Sequence, residues 1–268
     1  MRNIHPTAVI EKDVNLAEDV TIGPNCVVCK GTTIGEGSHL YANVYIGPDV
    51  VIGKNNQFFP TCSIGTNPQI LGLKSDTKVG KLTIGDGNTI REQATIHPSM
   101  HPGEYTKVGS NNLIMIGVHI GHDCVLEDKI VMSNYVQISG HCHIQTGAWL
   151  SGMVLSHQFV TIGKWCYASG LTGINHDIPP FLIVSGHYPP KVRGVNKRGM
   201  DRAGLTELQQ KAVMRAYRQL YRTEGALLEK VKTLAQQPNL EQCVKDMLEI
   251  ILNSTANRHG RYLENFRH

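Results

Sequence analysis

The chain has 268 residues, 41% hydrophobic, 18% charged and 6% aromatic; it is too apolar for wholesale disorder and long enough for one large domain plus an appendage. No run of 18 apolar residues occurs, which excludes a spanning helix, and Met1-Arg2-Asn3-Ile4-His5-Pro6 lacks the apolar stretch of a secretion signal. Seven scattered cysteines, an odd number, argue against a disulfide scaffold, and Cys26-Val27-Val28-Cys29 is a lone CxxC with no second pair to complete a zinc site. A soluble cytoplasmic protein without bound metal is the expectation. The formal charge of +4 is uneven: residues 191–268 carry 15 Lys/Arg against 8 Asp/Glu, and residues 1–190 carry 11 against 14. A basic tail on a mildly acidic body points to an anionic partner, or simply to solvated helix surfaces. No nucleic-acid partner is expected.

From the N-terminus a six-residue period governs the chain. Ile4, Ile10, Leu16, Ile22, Val28, Ile34, Leu40, Ile46, Ile52, Phe58 and Ile64 are all large and apolar, a run that chance gives about once in ~20,000 tries. Gly follows at Ile22, Ile34, Ile46, Ile52 and Ile64. The phase then slips by two, restarts at Ile84, Ile90 and Ile96, and resumes at Val108. It runs on through Ile114, Ile120, Leu126, Met132, Ile138, Ile144 and Leu150 to Ile162 and Ile174, with weaker steps at Ser156 and Ala168. Residues 65–83 and 97–107 are excursions from this body, and loops of that length are usually functional.

Period six fits neither an α-helix nor an alternating strand. It fits an all-β solenoid, a parallel β-helix with one residue per hexad facing a narrow core and three hexads, 18 residues, making one triangular coil. Residues 1–190 then form about ten coils and their exit. Asp177-Ile178-Pro179-Pro180-Phe181 and Pro189-Pro190 mark a linker. Residues 191–268 read as an α-helical C-terminal domain: Leu205, Leu208, Ala212, Val213, Ala216 and Leu220 share a face, and a second pattern covers roughly 226–253.

Residues 18 apart stack about 4.8 Å from one another. His122 therefore lies under Gly140, beside His141, and two coils under Gln158, beside His157; His119 points outward nearby. An imidazole exchanges protons near neutral pH, and Asp123 can orient and support it. Cys124 and Cys142 also stack, as small fillers. With no nucleophile motif, direct general-base transfer without a covalent intermediate is the chemistry implied, and the Gly140 N–H can serve an oxyanion. The competing reading is an exposed polar ladder on a non-catalytic scaffold. Zinc enzymes built on such solenoids use His-x4-His; no two histidines here are five apart.

Ile116-Gly117-Val118-His119-Ile120-Gly121-His122-Asp123-Cys124 resembles the catalytic segment of the UDP-N-acetylglucosamine O-acyltransferases, and so do, in order, Arg91-Glu92, Thr95-Ile96-His97, Thr106-Lys107-Val108-Gly109-Ser110, Ser139-Gly140-His141, Ser156-His157-Gln158-Phe159, Asp177-Ile178-Pro179-Pro180, Gly194-Val195-Asn196 and Ala216-Tyr217-Arg218-Gln219-Leu220-Tyr221-Arg222. The likeness spans essentially the whole chain. It implies a left-handed β-helix, an exception to the usual crossover rule, assembled as a homotrimer with active sites between subunits. It implies transfer of an (R)-3-hydroxyacyl group from acyl carrier protein, the thioester co-substrate, to the 3-hydroxyl of UDP-N-acetylglucosamine in lipid A synthesis, with no further cofactor. By the same resemblance His122 is the general base, Asp123 its support and Gly140 the oxyanion donor. Lys74, His119, His141, His157, Gln158, Asn196 and Arg202 bind substrate, with Arg218 and Arg222 further candidates for phosphate or carrier contacts, and Gly170, 18 beyond Gly152, is the acyl-chain ruler.

The chain departs from the family at Gln69-Ile70-Leu71-Gly72-Leu73-Lys74, longer by two than the usual Gln-Asp-Leu-Lys and without its Asp. Arg198 stands where an acid is common, and Ala203 where a basic residue is. A different UDP-sugar acceptor, including an amino sugar giving N-acylation, is the alternative these changes leave open. The hexads begin at Ile4, without the N-terminal uridine-binding domain of the pathway's related N-acyltransferase.

Overall fold

The computed structural model describes residues 3–74 and 76–267. Each hexad folds as a two-residue strand and a turn, and the strands stack into three sheets of 11, 9 and 8 strands that form the faces of a triangular solenoid of about ten coils. Pairing is parallel with an 18-residue register, as in His119↔Gln137 and Ile120↔Ile138 on the second face. Main-chain bonds lock each coil to the next: the His119 N–H donates to Val136 O at 3.0 Å and the Gly121 N–H to Ile138 O at 2.8 Å.

Two residues per hexad face the core, not one. The large apolar residue is inside, and so is the residue two before it: Val20, Cys26, Thr32, Ser38, Val44, Val50, Asn56 and Cys62 are all at or below 1% exposure. A narrow prism leaves little room for a second large side chain, so this position mostly takes Cys, Ala, Thr, Ser, Asn or Val, with Leu82 and Ile130 the larger exceptions. Cys124, Cys142 and Cys166 occupy it too, which explains most of the buried free thiols. The first two hexad residues fare worse. Ile4 is 38% exposed and Ile10 only partly buried, because the terminal coil has no neighbour beneath it.

Three of the small positions carry a buried amide ladder. The Asn56 Oδ1 accepts from the Asn88 N–H at 2.9 Å, Asn88 Oδ1 from the Asn112 N–H at 2.9 Å, and Asn112 Oδ1 from the Ile130 N–H at 2.7 Å. Each amide satisfies the turn N–H of the following coil, which no strand carbonyl reaches.

Both excursions leave the same corner, between the second and third faces. The chain departs after Ser63–Ile64 and returns at Lys81–Ile84; one coil on it departs after Thr95–Ile96 and returns at Tyr105–Val108. The phase slip does no harm, because Ile84 still pairs with Ile52.

Leu182–Ser185 forms the last first-face rung, and Lys191–Val195 pairs with it antiparallel. That strand lies within the stretch read as helical: a half-formed sheet edge captured it before the helices begin. Helices α1 (Lys197–Arg202), α2 (Glu207–Tyr221), α3 (Leu227–Ala235) and α4 (Gln242–Thr255) follow, with a 3-10 turn at Tyr262–Phe266. Thr206 and Gln209 make a reciprocal capping box on α2. Leu208 is 73% exposed, against the single face read for it: Ala212, Val213, Ala216, Tyr217 and Leu220 define the buried side, whose centre lies roughly 110° around the helix from Leu208. No helix of the described residues is long and apolar enough to cross a membrane.

The amide ladder gives a direct test. Asn88→Ala removes the acceptor for the Asn112 N–H and leaves it buried and unpaired, so it should cost about 1–3 kcal/mol in urea unfolding, more than the same substitution at exposed Asn15.

Candidate active site

His122 and Asp123 sit at the corner where both excursions leave, one coil beyond the second. Asp123 is a corner residue with φ +60°, a left-handed conformation that Asp adopts more readily than most. Its column continues upward through His141 (φ +61°), Phe159 (φ +65°) and Asp177; the neighbouring column is His122, Gly140 and Gln158.

The second excursion folds back over Asp123. Ser99 Oγ–H donates to Asp123 Oδ1, and the Met100 N–H donates to Oδ2 at 3.3 Å. The His122 Nδ1–H donates to the same Oδ2 at 2.7 Å, and the Asp123 N–H donates to Thr106 Oγ1 at 2.7 Å. Burial alone would raise the Asp123 carboxyl pKa, but the bonds from His122 and Ser99 outweigh it and hold the group below its ordinary value. An ionised carboxylate only accepts, so Nδ1 of His122 carries the proton of this bond, and in the neutral ring that leaves the lone pair on Nε2. That is the tautomer a general base requires.

Gly140 lies against the imidazole. A Cβ at this position would stand 2.7 Å from His122 Cε1 and 2.8 Å from Nε2, so any side chain here would displace the base. Among the described residues the Gly140 N–H donates to no protein acceptor.

His141 packs edge-on to His122, ring centres 5.0 Å apart, and face to face with Phe159 at 4.5 Å. Its Nε2 lies 3.7 Å from Asp123. Burial is the main reason its pKa falls below the usual histidine value, with Asp123 opposing. His119 accompanies them from the strand below, its Nδ1 2.9 Å from Thr95 Oγ1 and its ring centre 5.2 Å from that of buried His97. Burial, then the neighbouring His97 and His122, push its pKa down to about 4.

A cavity opens over this cluster, walled by Ile70 of the first excursion, Met100 of the second, Gln158, Phe159, Arg267 and the rings of His101, His122 and His141. His157 is exposed beside it, its ring N–H turned to Gln158 O at 3.1 Å. Lys74 is exposed on the first excursion and is not in the wall. Gly170 is at a different corner, three coils up, where a side chain would meet only Gly152 O at 3.4 Å. Asn196 and Arg202 are elsewhere: with Arg198, Trp149 and Tyr167 they line a separate first-face cavity. There Arg202 lies 4.7 Å over the Trp149 ring. The Asn196 side chain caps α1, accepting from the Gly199 N–H at 3.0 Å and donating to Trp165 O at 2.9 Å. Arg222 donates to Tyr217 Oη at 2.7 Å and to Arg193 O at 3.2 Å.

His101, Asp123 and His141 bring potential metal-ligand atoms within 4.8 Å of one another, but Ser99, Met100 and His122 already engage both Asp123 oxygens. Sequence reasoning missed Ser99, Thr106, Phe159 and Arg267. Ser99 is signalled only by the existence of the excursion; Thr106 and Phe159 stand in segments that resemble the family, and the 18-residue count also reaches Phe159 two coils above Asp123; Arg267 has no sequence signal.

A parallel solenoid of hexapeptide turns with a buttressed His–Asp pair at a coil corner defines a hexapeptide-repeat acyltransferase. Residues 18–48 match a family model described as the hexapeptide repeat of succinyl-transferase, and residues 177–260 match one described as UDP N-acetylglucosamine O-acyltransferase, domain 2. The acyl-[acyl-carrier-protein]–UDP-N-acetylglucosamine O-acyltransferase of Gloeothece citriformis is 35% identical over 95% of this chain and 92% of its own. The chain belongs to that acyltransferase family. The solved UDP-N-acetylglucosamine acyltransferase of Francisella novicida superposes with TM-score 0.89 at 35% identity, over 96% of this chain and 92% of that one. The Moraxella catarrhalis enzyme gives 0.86 at 36%, over 92% and 95%.

The histidine cluster sets a pH dependence. Between pH 6.5 and about 4 an unfolded His119 takes up a proton that the folded one refuses, so it weakens folding as pH falls; His97 and His141 shift the same way. Asp177, pushed up to about 6 by burial, acts in the opposite sense. The comparison with His119→Gln therefore isolates the effect: wild type should lose more stability than the variant between pH 7 and 4.5, by on the order of 1 kcal/mol in urea titrations.

Proposed function

We propose that this enzyme moves an (R)-3-hydroxyacyl group from the thioester of acyl carrier protein to the 3-hydroxyl of UDP-N-acetylglucosamine, in the cytoplasm, as a step of lipid A synthesis. The observation that carries the chemistry is the His122–Asp123–Ser99 chain, 2.7 Å at its His–Asp link, with the Gly140 backbone pressed against the imidazole. His122 Nε2 removes the proton as the sugar oxygen attacks the thioester carbonyl. Asp123 stabilises the imidazolium that forms, and the Gly140 N–H donates to the tetrahedral oxyanion. Collapse of the intermediate breaks the C–S bond, and His122 returns its proton to the departing thiolate. No cofactor is needed beyond the carrier's thioester.

His119, His141, His157 and Gln158 position the sugar around this base, and Lys74 meets the diphosphate from its loop. Arg202 holds the nucleotide on the first face, in the cavity that Asn196 shapes by capping α1. One substrate spans both clusters only if another copy brings its first face to this corner, which is the case for a homotrimer with shared sites. Tyr135, Met153 and Leu171, exposed at 47%, 51% and 70%, form an uncovered apolar column at the corner that carries Gly152 and Gly170. Such a column suits a lipid chain and a subunit contact, and Gly170 would end the chain's path.

The decisive assay offers UDP-N-acetylglucosamine and a panel of 3-hydroxyacyl carrier proteins to wild type and His122→Ala. A loss of at least ~100-fold with the assembly intact is expected; equal rates would remove His122 as the base. No turnover by wild type would move the acceptor to another UDP-sugar, with the loop at Ile70–Lys74 and Arg198 as the reason. A side chain at position 170 has open space beyond Gly152 O, so Gly170→Met should fold normally and shift the product profile to shorter acyl chains. An unchanged profile would refute the ruler.

A further inference from the structure

The segment after α4 closes on the same corner as the two excursions. Asp177 anchors it: the Asp177 N–H donates to Gly260 O at 2.7 Å, and Asp177 Oδ2 accepts from the Tyr262 N–H at 2.8 Å. Buried Arg261 donates to Asn175 O at 2.8 Å and pairs with Glu264 at 2.7 Å. Leu263 and Phe266 then lie against the cavity wall that contains Asp123 and His141. This strap delivers Arg267 to the His122 cavity, its guanidinium 5.9 Å from the centre of the Phe159 ring, on which His141 stacks.

Apart from imidazoles, Arg267 is the only cation among the residues walling that cavity. Its ion-pair partner is weak: Glu264 is 3.9 Å away and already holds Arg261 through two contacts of 2.7 and 3.0 Å. The strap thus brings a largely exposed guanidinium to the cavity wall with its donors uncommitted to any short bond among the described residues. The match to the acyltransferase family model ends at residue 260, so it does not extend to this arginine.

We propose that Arg267 binds a substrate phosphate at the transfer site. An arginine fork at a cavity mouth suits a phosphate geometrically and electrostatically. This rests on the reaction argued above, in which both substrates bring one: the diphosphate of the UDP-sugar and the phosphodiester of the carrier's prosthetic arm. The test is steady-state kinetics of full-length wild type, R267A, R267E and R267K with each substrate varied in turn. R267A should raise KM about tenfold, or 1.4 kcal/mol, for one of the two substrates, with kcat within about twofold by the same arithmetic. R267E should exceed it and R267K should recover part of it. The substrate whose KM moves identifies the phosphate. KM values unchanged in both R267A and R267E, or a loss in kcat alone, would overturn the proposal and leave Arg267 as a cover for Phe159. If wild type shows no turnover, the fault lies with the reaction. Calorimetric titration of UDP and of 4′-phosphopantetheine into wild type and R267E then decides: about tenfold weaker binding of either ligand supports the phosphate site, and equal affinities overturn it.

Discussion

Parallel pairing at an 18-residue interval is the constraint from which the rest of this molecule follows. Because each strand bonds to the strand one coil above, the side chain at any position is tied to its counterparts at 18 and 36 residues' distance. An inward isoleucine must sit on another inward residue, and a corner residue on another corner residue. The same rule that makes a continuous core from Ile114, Met132 and Leu150 places Gly140 over His122 and Phe159 two coils above Asp123. The His122–Gly140 geometry is a by-product of the packing register, which is why a glycine 18 residues away governs whether the imidazole can occupy its place.

Register alone supplies stacked imidazoles, not a general base. What converts the ladder into a site is the interruption of the period at one corner. The excursion after Ile96 carries Ser99 and the Met100 N–H onto Asp123, fixing a carboxylate whose pKa burial alone would raise. That charge sets the tautomer of His122. By contrast, His119 and His141 lose charge to burial and remain neutral partners. Of these rings only His122 makes a short hydrogen bond to the carboxylate; His141 stays 3.7 Å from it.

The hexad period made the solenoid, its coil number and the His122–Gly140–Gln158 column legible from sequence, since all are counts along a line. Cys124 and Cys142 were legible as fillers, though not the reason, which is a second inward position two residues before each large one. Where counting stops, so does legibility. The strand Lys191–Val195 follows from a free sheet edge that periodicity does not announce, and Leu208 shows that an apolar residue at a plausible spacing can miss a helix's buried face by a third of a turn. Ser99 and Arg267 reach the cavity through an irregular loop and a terminal strap, whose paths depend on main-chain bonds to Lys81, Asp177 and Asn175. No local pattern encodes those.

Asn196 shows how a residue can be matched by motif and still be spent elsewhere. Both ends of its amide are used, one on the α1 N-terminus and one on Trp165 O, so within one chain it shapes the Trp149–Arg202 cavity by holding α1 against the first face. A triangular prism cannot turn that face toward its own second–third corner. The distance between the two clusters is therefore a property of the solenoid's rigidity, and no loop motion in a single chain closes it. If one substrate engages both the first-face arginines and the corner histidines, as proposed, apposing copies of a fold made of flat faces is the geometry that brings them together.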